Sequence, residues 1–151
     1  MGLVENVGQD LIAAMKSGDS LRLSVIRLLR TRLKETQVEK RRELEDEECL
    51  KVVMSEVAKR KEAIELFDKG GRADLAGREL KEIEILETYL PPKLSEEELR
   101  TIVSEAVKES GARVPGDLGK VMKVVMPKVT GRAEGSLVNR IVRELLAEAK
   151  D

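Results

Sequence analysis

The stretch "LPPKLSEEEL", residues 90–99, divides the chain into two helical parts. Pro91 and Pro92 cannot continue a helix, because proline lacks a backbone N–H and holds the residue before it in an extended conformation. Ser95 and Glu98 follow at the spacing of a capping box, in which each side chain satisfies a free N–H group at a helix start. We therefore predict an N-terminal domain over residues 1–90, a proline hinge at 91–94 and a C-terminal domain over 95–151.

The composition predicts that both domains are all-α. Aromatic residues make up only 1% of the chain, so a core must be built from leucine, valine, isoleucine, alanine and methionine. Such a core favours helices packed on helices, whereas a sheet would need more alternation of β-branched and aromatic residues. Apolar residues at helical spacing predict about four helices in the N-terminal domain and a compact three-helix C-terminal domain.

The composition also limits the classes of function. Histidine is absent, which removes the commonest general base and the commonest zinc ligand. No glycine-rich phosphate loop of a known pattern is present. Cys49 follows acidic residues that would raise the pKa of a thiol, so we interpret it as a small buried residue. We therefore predict no catalytic residue, no metal site and no cofactor.

The sequence favours a cytoplasmic protein that has no membrane partner. No apolar run approaches the roughly 20 residues that a membrane-spanning helix needs. The first residues, "MGLVENVG", carry an acid instead of the basic start of a secretory signal. The single cysteine cannot form an internal disulfide, which suggests a reducing compartment.

Positive charges concentrate in two windows, although the net charge is only −1. Residues 22–42 hold eight basic and two acidic residues, and residues 113–143 hold seven and two. In the first window we interpret the cations as a solvated helical face that pairs with nearby acids. In the second window phosphate binding and a solvated surface are equal alternatives. The cations that share one side of the second predicted helix are Arg27, Arg30, Lys34 and Arg41.

The second window supplies the candidate binding residues. Lysine and arginine neutralise phosphates, and asparagine can both donate and accept hydrogen bonds. The scarcity of aromatic side chains argues against stacking on single-stranded bases, so a folded RNA contacted through its backbone fits better. The candidate contact residues are Lys120, Lys123, Lys128, Arg132, Asn139, Arg140 and Arg143.

Residues 117–142, "DLGKVMKVVMPKVTGRAEGSLVNRIV", resemble the C-terminal unit of the YqeY-like proteins. That unit also forms the tail of the GatB subunit of the tRNA-dependent Asp/Glu-tRNA amidotransferase, which gives the GatB/YqeY family its name. Three further segments, at 23–44, 67–76 and 82–99, resemble the corresponding YqeY segments. The resemblance implies a helical N-terminal domain, a three-helix tail and tRNA contact by the tail. Carbon–nitrogen ligase activity with glutamine as amide donor is implied by the family name alone.

The resemblance is densest between the last two predicted helices. Residues 119–122 match the family's "GKVM" element and residues 127–133 match its "PKxxGRA" element. Val138 and Asn139 match a "VN" pair often seen in the amidotransferase tail. Glu134 stands where the family usually has aspartate, which caps a helix better than glutamate does.

Two glycines flank the entrance of the last predicted helix. We expect Gly131 to adopt a positive φ that ends one helix, and Gly135 to let the chain turn tightly into the next. Arg132 would then lie beside unpaired N–H groups that can receive a phosphate oxygen. The alternative is a plain helix–helix corner with a solvated Arg132.

These observations lead to one main hypothesis and two alternatives. The main hypothesis is a non-catalytic protein whose C-terminal domain binds tRNA or another structured RNA. The first alternative is a protein-interaction adaptor without RNA binding, whose N-terminal helices dock a protein partner. The second is an amidotransferase in its own right, for which the residues offer no visible chemistry.

Overall fold

The computed structural model describes residues 2–148, which form seven α-helices and contain no β-strand. The predicted all-α class is therefore confirmed, with four helices followed by three. The chain separates into two compact units, one ending at Leu90 and the other beginning at Pro91.

Four helices build the N-terminal unit, and short turns with clear stop and start residues join them. The chain reverses after the first helix at Gly18, whose φ of 74° is favoured by glycine. The second helix then begins where Asp19 Oδ1 accepts a hydrogen bond from Arg22 N–H at 3.1 Å. The helices are α1 (Leu3–Ser17), α2 (Ser20–Lys40), α3 (Asp46–Lys69) and α4 (Ala73–Glu87).

The core of the N-terminal unit is aliphatic, as the composition predicts. Burial of each leucine or valine side chain contributes about 1.5–3 kcal/mol relative to its exposure. Cys49 is buried in this core, so its interpretation as a small core residue is confirmed. Burial, and to a smaller extent the charges of Asp46 and Glu48, raise the pKa of its thiol.

A cluster of charged side chains, which was not predicted from the sequence, lies inside the same unit. The carboxylate of Glu56 on α3 accepts a hydrogen bond from Lys59 Nζ at 2.9 Å. It also lies 3.7 Å from Arg60 NH1 and 3.8 Å from Arg32 Nε of α2. Arg60 NH2 reaches Glu82 Oε1 of α4 at 3.5 Å. The cluster therefore connects α2, α3 and α4.

Tyr89, the single tyrosine of the chain, ties the end of the N-terminal unit to its first helix. Its hydroxyl donates a hydrogen bond to Asp10 Oδ2 of α1 at 2.6 Å. Burial of the ring, followed by this hydrogen bond and the carboxylate charge, raises the pKa of Tyr89 well above its usual value. Both effects disfavour a phenolate, because it would be desolvated and would face another anion.

We expect Tyr89 to ionise well above pH 10 in the native protein, and near pH 10 in the urea-unfolded chain. The elevated folded-state pKa contributes stability in full below about pH 10, and this stability is lost as the pH rises through the folded pKa. Ultraviolet absorbance of the phenolate measures both titrations without interference from another tyrosine. Asp10→Asn should bring the native midpoint closer to the unfolded one. Identical midpoints in the two states would contradict the expected pKa.

The C-terminal unit contains three helices and one short 3-10 turn. Ser95 Oγ accepts a hydrogen bond from Glu98 N–H at 3.1 Å, so the predicted helix start after the prolines is confirmed. Gly111 ends that helix with a φ of 74°. The elements are α5 (Glu96–Ser110), the turn Pro115–Asp117, α6 (Leu118–Val129) and α7 (Gly135–Glu148).

The three C-terminal helices bury one aliphatic side each against a shared core. The fully buried side chains of this core include Leu99 of α5, Val121 and Val125 of α6, and Ile141 and Leu146 of α7. The opposite sides of α6 and α7 face solvent, and they carry the candidate cations. Within residues 2–148, the helices are either too short or too polar to span a bilayer.

Candidate nucleic-acid interface

The corner between α6 and α7 is built around Gly131. Its φ is 82°, which confirms the predicted positive-φ position. Arg132 N–H donates to Val129 O at 2.8 Å and closes the last turn of α6. Gly135 does not have the predicted role, because it is the first residue of α7 and its φ is not positive. A Cβ there would meet no atom within 4 Å, so the turn does not require glycine at 135.

Arg132 is tied to the proline segment and is not simply solvated. Its side-chain Nε donates to Pro92 O at 3.3 Å, and its backbone oxygen accepts from Leu94 N at 2.9 Å. The side chain is half-buried as a result. A guanidinium has five N–H donors, so this one bond leaves further donors for an anion.

Two of the candidate lysines form surface ion pairs. Lys120 Nζ lies 3.7 Å from Asp117 Oδ1, and Lys128 Nζ lies 2.7 Å from Glu109 Oε2. The pKa of Asp117 is lowered mainly by backbone N–H groups that donate to it, with a smaller effect of Lys120. Exposed pairs of this kind contribute about 0–1 kcal/mol, so a phosphate can replace the carboxylate at little cost.

Arg140 belongs to a network of four charges between α5 and α7. Its NH2 lies 3.2 Å from Glu96 Oε1, and its Nε lies 3.7 Å from Glu144 Oε1. Arg100 NH2 shares both carboxylates, at 3.2 Å and 2.6 Å. Arg100 was not among the predicted residues, although its i, i+4 spacing from Glu96 is a recognisable sign of pairing. Arg140 therefore shares both of its carboxylate partners with Arg100.

Among residues 2–148, the remaining three candidates have no such partners. Lys123 on α6 and Arg143 on α7 are exposed, and no carboxylate of residues 2–148 lies within ion-pair distance of either. Asn139 is half-buried on α7, and its side-chain amide has no hydrogen-bond partner in the described part of the chain. The seven candidates are thus divided into three that are paired with carboxylates, one bonded to a carbonyl and three that are open.

This arrangement can bind an anion through charge. A lysine ammonium and an arginine guanidinium without carboxylate partners both form strong charge-assisted hydrogen bonds to phosphate oxygens. Within residues 2–148, no three His, Cys, Asp or Glu side chains are grouped so that they could hold a metal ion.

The fold and this surface define a class of protein: an all-helical chain whose three-helix C-terminal unit carries exposed cations. The chain belongs to the YqeY-like family, because the model of the "Yqey-like protein" family matches residues 4–146. The family resemblance predicted from the sequence is therefore confirmed.

Curated relatives agree with this assignment. The mitochondrial "Altered inheritance of mitochondria protein 41" of Lachancea thermotolerans is 38% identical over 109 residues, which cover 70% of this chain and 58% of that protein. Its counterpart in Vanderwaltozyma polyspora is 32% identical over 127 residues, covering 80% and 65%. The chain therefore spans less than two thirds of the length of these relatives.

A third relative connects the chain to tRNA amidotransferases. The E-type subunit of the glutamyl-tRNA(Gln) amidotransferase of Methanospirillum hungatei is 41% identical over 61 residues, which cover 38% of this chain and 10% of that protein. This relative is an E-type protein, whereas the sequence resemblance concerns the GatB tail. The first two relatives are named as mitochondrial proteins, so a cytoplasmic location of this chain stays a prediction.

Proposed function

We propose that this chain is a non-catalytic protein whose C-terminal unit binds tRNA or another structured RNA through its phosphate backbone. The observation that carries the proposal is the exposure of Lys123 and Arg143 on two helices of one unit without carboxylate partners among residues 2–148. The similarity of part of the chain to a protein named for its tRNA substrate supports the choice of ligand. We assign no catalytic step to this chain.

The remaining cations can contribute once RNA is bound. Lys120, Lys128 and Arg140 each exchange a weak surface ion pair for a phosphate, which releases counterions from the RNA and gains entropy. Arg132 keeps its bond to Pro92 O and offers its other guanidinium donors. Lys123 and Arg143 need no such exchange, so we expect them to contribute most per residue.

The double variant Lys123→Gln/Arg143→Gln is expected to bind tRNA at least about tenfold more weakly, because two charge-assisted hydrogen bonds are lost. Fluorescence anisotropy over a range of salt concentrations measures both affinity and its salt dependence. The slope of log affinity against log salt should fall by about two, one for each neutralised cation.

A matched control, Lys16→Gln/Lys69→Gln, removes two exposed cations from the other unit. Its net charge is the same as that of the Lys123/Arg143 variant. We expect this control to bind like the wild-type chain. An unchanged affinity in the Lys123/Arg143 variant, or an equal loss in the control, would refute a specific site on α6 and α7.

The protein-interaction adaptor remains the second candidate, because the N-terminal unit exposes apolar side chains. Ile12 and Met15 lie one turn apart on α1, and more than half of each is exposed. Such neighbouring apolar residues suit a protein contact better than a phosphate contact. A wild-type chain that fails to bind tRNA at low salt, yet keeps a protein partner after nuclease treatment, would favour this function.

A further inference from the structure

Six of the eight cations in and directly after α2 fall into two distinct sets. Arg32 pairs with Glu35 at 3.0 Å, and Lys40 and Arg42 pair with Glu48 at 2.8 Å and 2.7 Å. Hydrogen bonds from Arg42 and Lys40 hold the pKa of Glu48 far below its usual value. These pairs are the ones that a solvated, self-neutralised helix surface predicts.

The second set departs from that prediction. Arg27, Arg30 and Lys34 are exposed, and no carboxylate of the described chain lies within ion-pair distance of them. Their exposure agrees with the solvated helical face predicted from the sequence, but within residues 2–148 these three cations lack the carboxylate partners expected for such a face. Arg41 also has no such partner, but it is the left-handed cap residue after α2, with a φ of 56°, and so leaves the helical row.

Geometry keeps the three cations together and away from the acids of their own helix. At about 100° per residue they fall within about 60° of one another, along roughly 10 Å of helix axis. Glu35 and Glu39 lie about 80–120° around the helix from Arg27. The three cations therefore lie apart from the carboxylates of their own helix, which share their side of α2 with Arg32.

We propose that the cationic face of α2, formed by Arg27, Arg30 and Lys34, is a second RNA-contact surface that binds the sugar-phosphate backbone of double-helical RNA. Two of its three residues are arginines, whose planar guanidinium matches phosphate with two parallel hydrogen bonds. The row stands on a regular helix of 21 residues, so its spacing is preorganised. The surface lies in the N-terminal unit and does not depend on the proposed C-terminal site.

Two features of the protein distinguish this ligand from a membrane surface and from single-stranded RNA. A helix that binds a membrane surface buries its apolar side in the bilayer, but Val25, Ile26 and Leu29 of α2 are buried in the protein core. Single-stranded RNA is held by aromatic stacking, and the chain contains only one phenylalanine and one tyrosine. Tyr89 is engaged with Asp10, so a duplex backbone is the ligand that suits the surface.

The test uses the full chain and a fully paired RNA duplex unrelated to tRNA in sequence. The triple variant Arg27→Gln/Arg30→Gln/Lys34→Gln keeps residues that favour helices, so its far-UV circular dichroism should match the wild type. We expect at least about a tenfold loss of affinity and a decrease of about three in the salt slope. If the triple variant unfolds, the three single variants replace it, and each should lower the slope by about one.

The control Lys16→Gln/Lys69→Gln/Lys81→Gln removes three exposed cations elsewhere in the same unit. Wild-type duplex binding by the triple variant, or an equal loss in the control, overturns the inference. Loss of binding to phosphatidylserine vesicles with unchanged duplex binding also overturns it and assigns the face to a membrane surface. The Lys123/Arg143 variant separates the two proposals. It should lose tRNA affinity if the C-terminal site exists, and the contribution of α2 to duplex binding should stay unchanged.

Discussion

Replacing Glu56 by glutamine is expected to lower the free energy of unfolding by about 3 kcal/mol. Glu56 is only 3% exposed, and three cations surround its carboxylate at 2.9–3.8 Å. Glutamine has nearly the same shape, so the substitution removes a charge and leaves packing almost unchanged. The loss therefore reports the electrostatic role of this carboxylate in the N-terminal unit.

The expected cost is large because the cations that remain cannot all reach water. Arg60 is only 8% exposed and would depend on Glu82 at 3.5 Å. Its Nε is already buried without a hydrogen-bond partner, and so is the Nε of Arg32. Arg60 would keep only Glu82 and the backbone oxygen of Glu56 as partners, which offset less of the cost of burying its charge.

Urea denaturation followed by circular dichroism measures this loss as a lower midpoint at an unchanged m value. Glu35→Gln is the matched control, because it also removes a carboxylate from Arg32 but at a site where 55% of the side chain is exposed. The control should stay within about 1 kcal/mol of the wild type. Equal effects of the two substitutions would show that the buried cluster contributes no more than a surface pair.

The buried cluster also shows where sequence-based prediction of the fold stops. Four residues follow one another along α3 at intervals of four, three and four positions, which places all of them on one side of the helix. They are Cys49, Val53, Glu56 and Arg60. This spacing could have identified Glu56 and Arg60 as core positions. Their charge hides this role in the sequence, because the compensating Glu82 lies on a different helix.

The helices themselves were predictable because local chemistry sets their limits. Pro91 and Pro92 exclude a helix, Ser95 caps the next one, and Gly131 supplies a positive φ, whatever the rest of the molecule does. Apolar spacing then decides which side of each helix is buried. These features act over a few residues, so one sequence is sufficient to recognise them.

Whether each candidate cation is paired with a carboxylate was less predictable, because pairing depends on how helices that are distant in the sequence pack together. Lys120 and Asp117 are three residues apart on the chain, so their pairing follows from local spacing. Lys128 reaches a carboxylate 19 residues away, and Arg140 reaches one 44 residues away. The contacts of Lys128 with Glu109 and of Arg140 with Glu96 could be identified only once α5 was in place beside α6 and α7.

Replacing Ile141 by alanine is expected to destabilise the C-terminal unit by about 2–5 kcal/mol. Ile141 is 0% exposed and belongs to the core that α5, α6 and α7 share. The substitution removes buried methyl and methylene groups and leaves a cavity that the surrounding valines can fill only in part. An internal disulfide cannot offset such a loss, since Cys49 is the single cysteine of the chain and lies before Pro91.

The location of this loss can be measured because Phe67 and Tyr89, the only aromatic residues, both lie before Pro91. Tyrosine fluorescence therefore follows the N-terminal unit, whereas far-UV circular dichroism follows helices in both units. The predicted division at the prolines leads us to expect that Ile141→Ala moves part of the circular dichroism transition to lower urea and leaves the fluorescence transition in place. Val114→Ala, at an exposed site, should leave both transitions unchanged. A fluorescence transition that moves together with circular dichroism would show that the chain unfolds as one cooperative unit and would contradict the predicted domains.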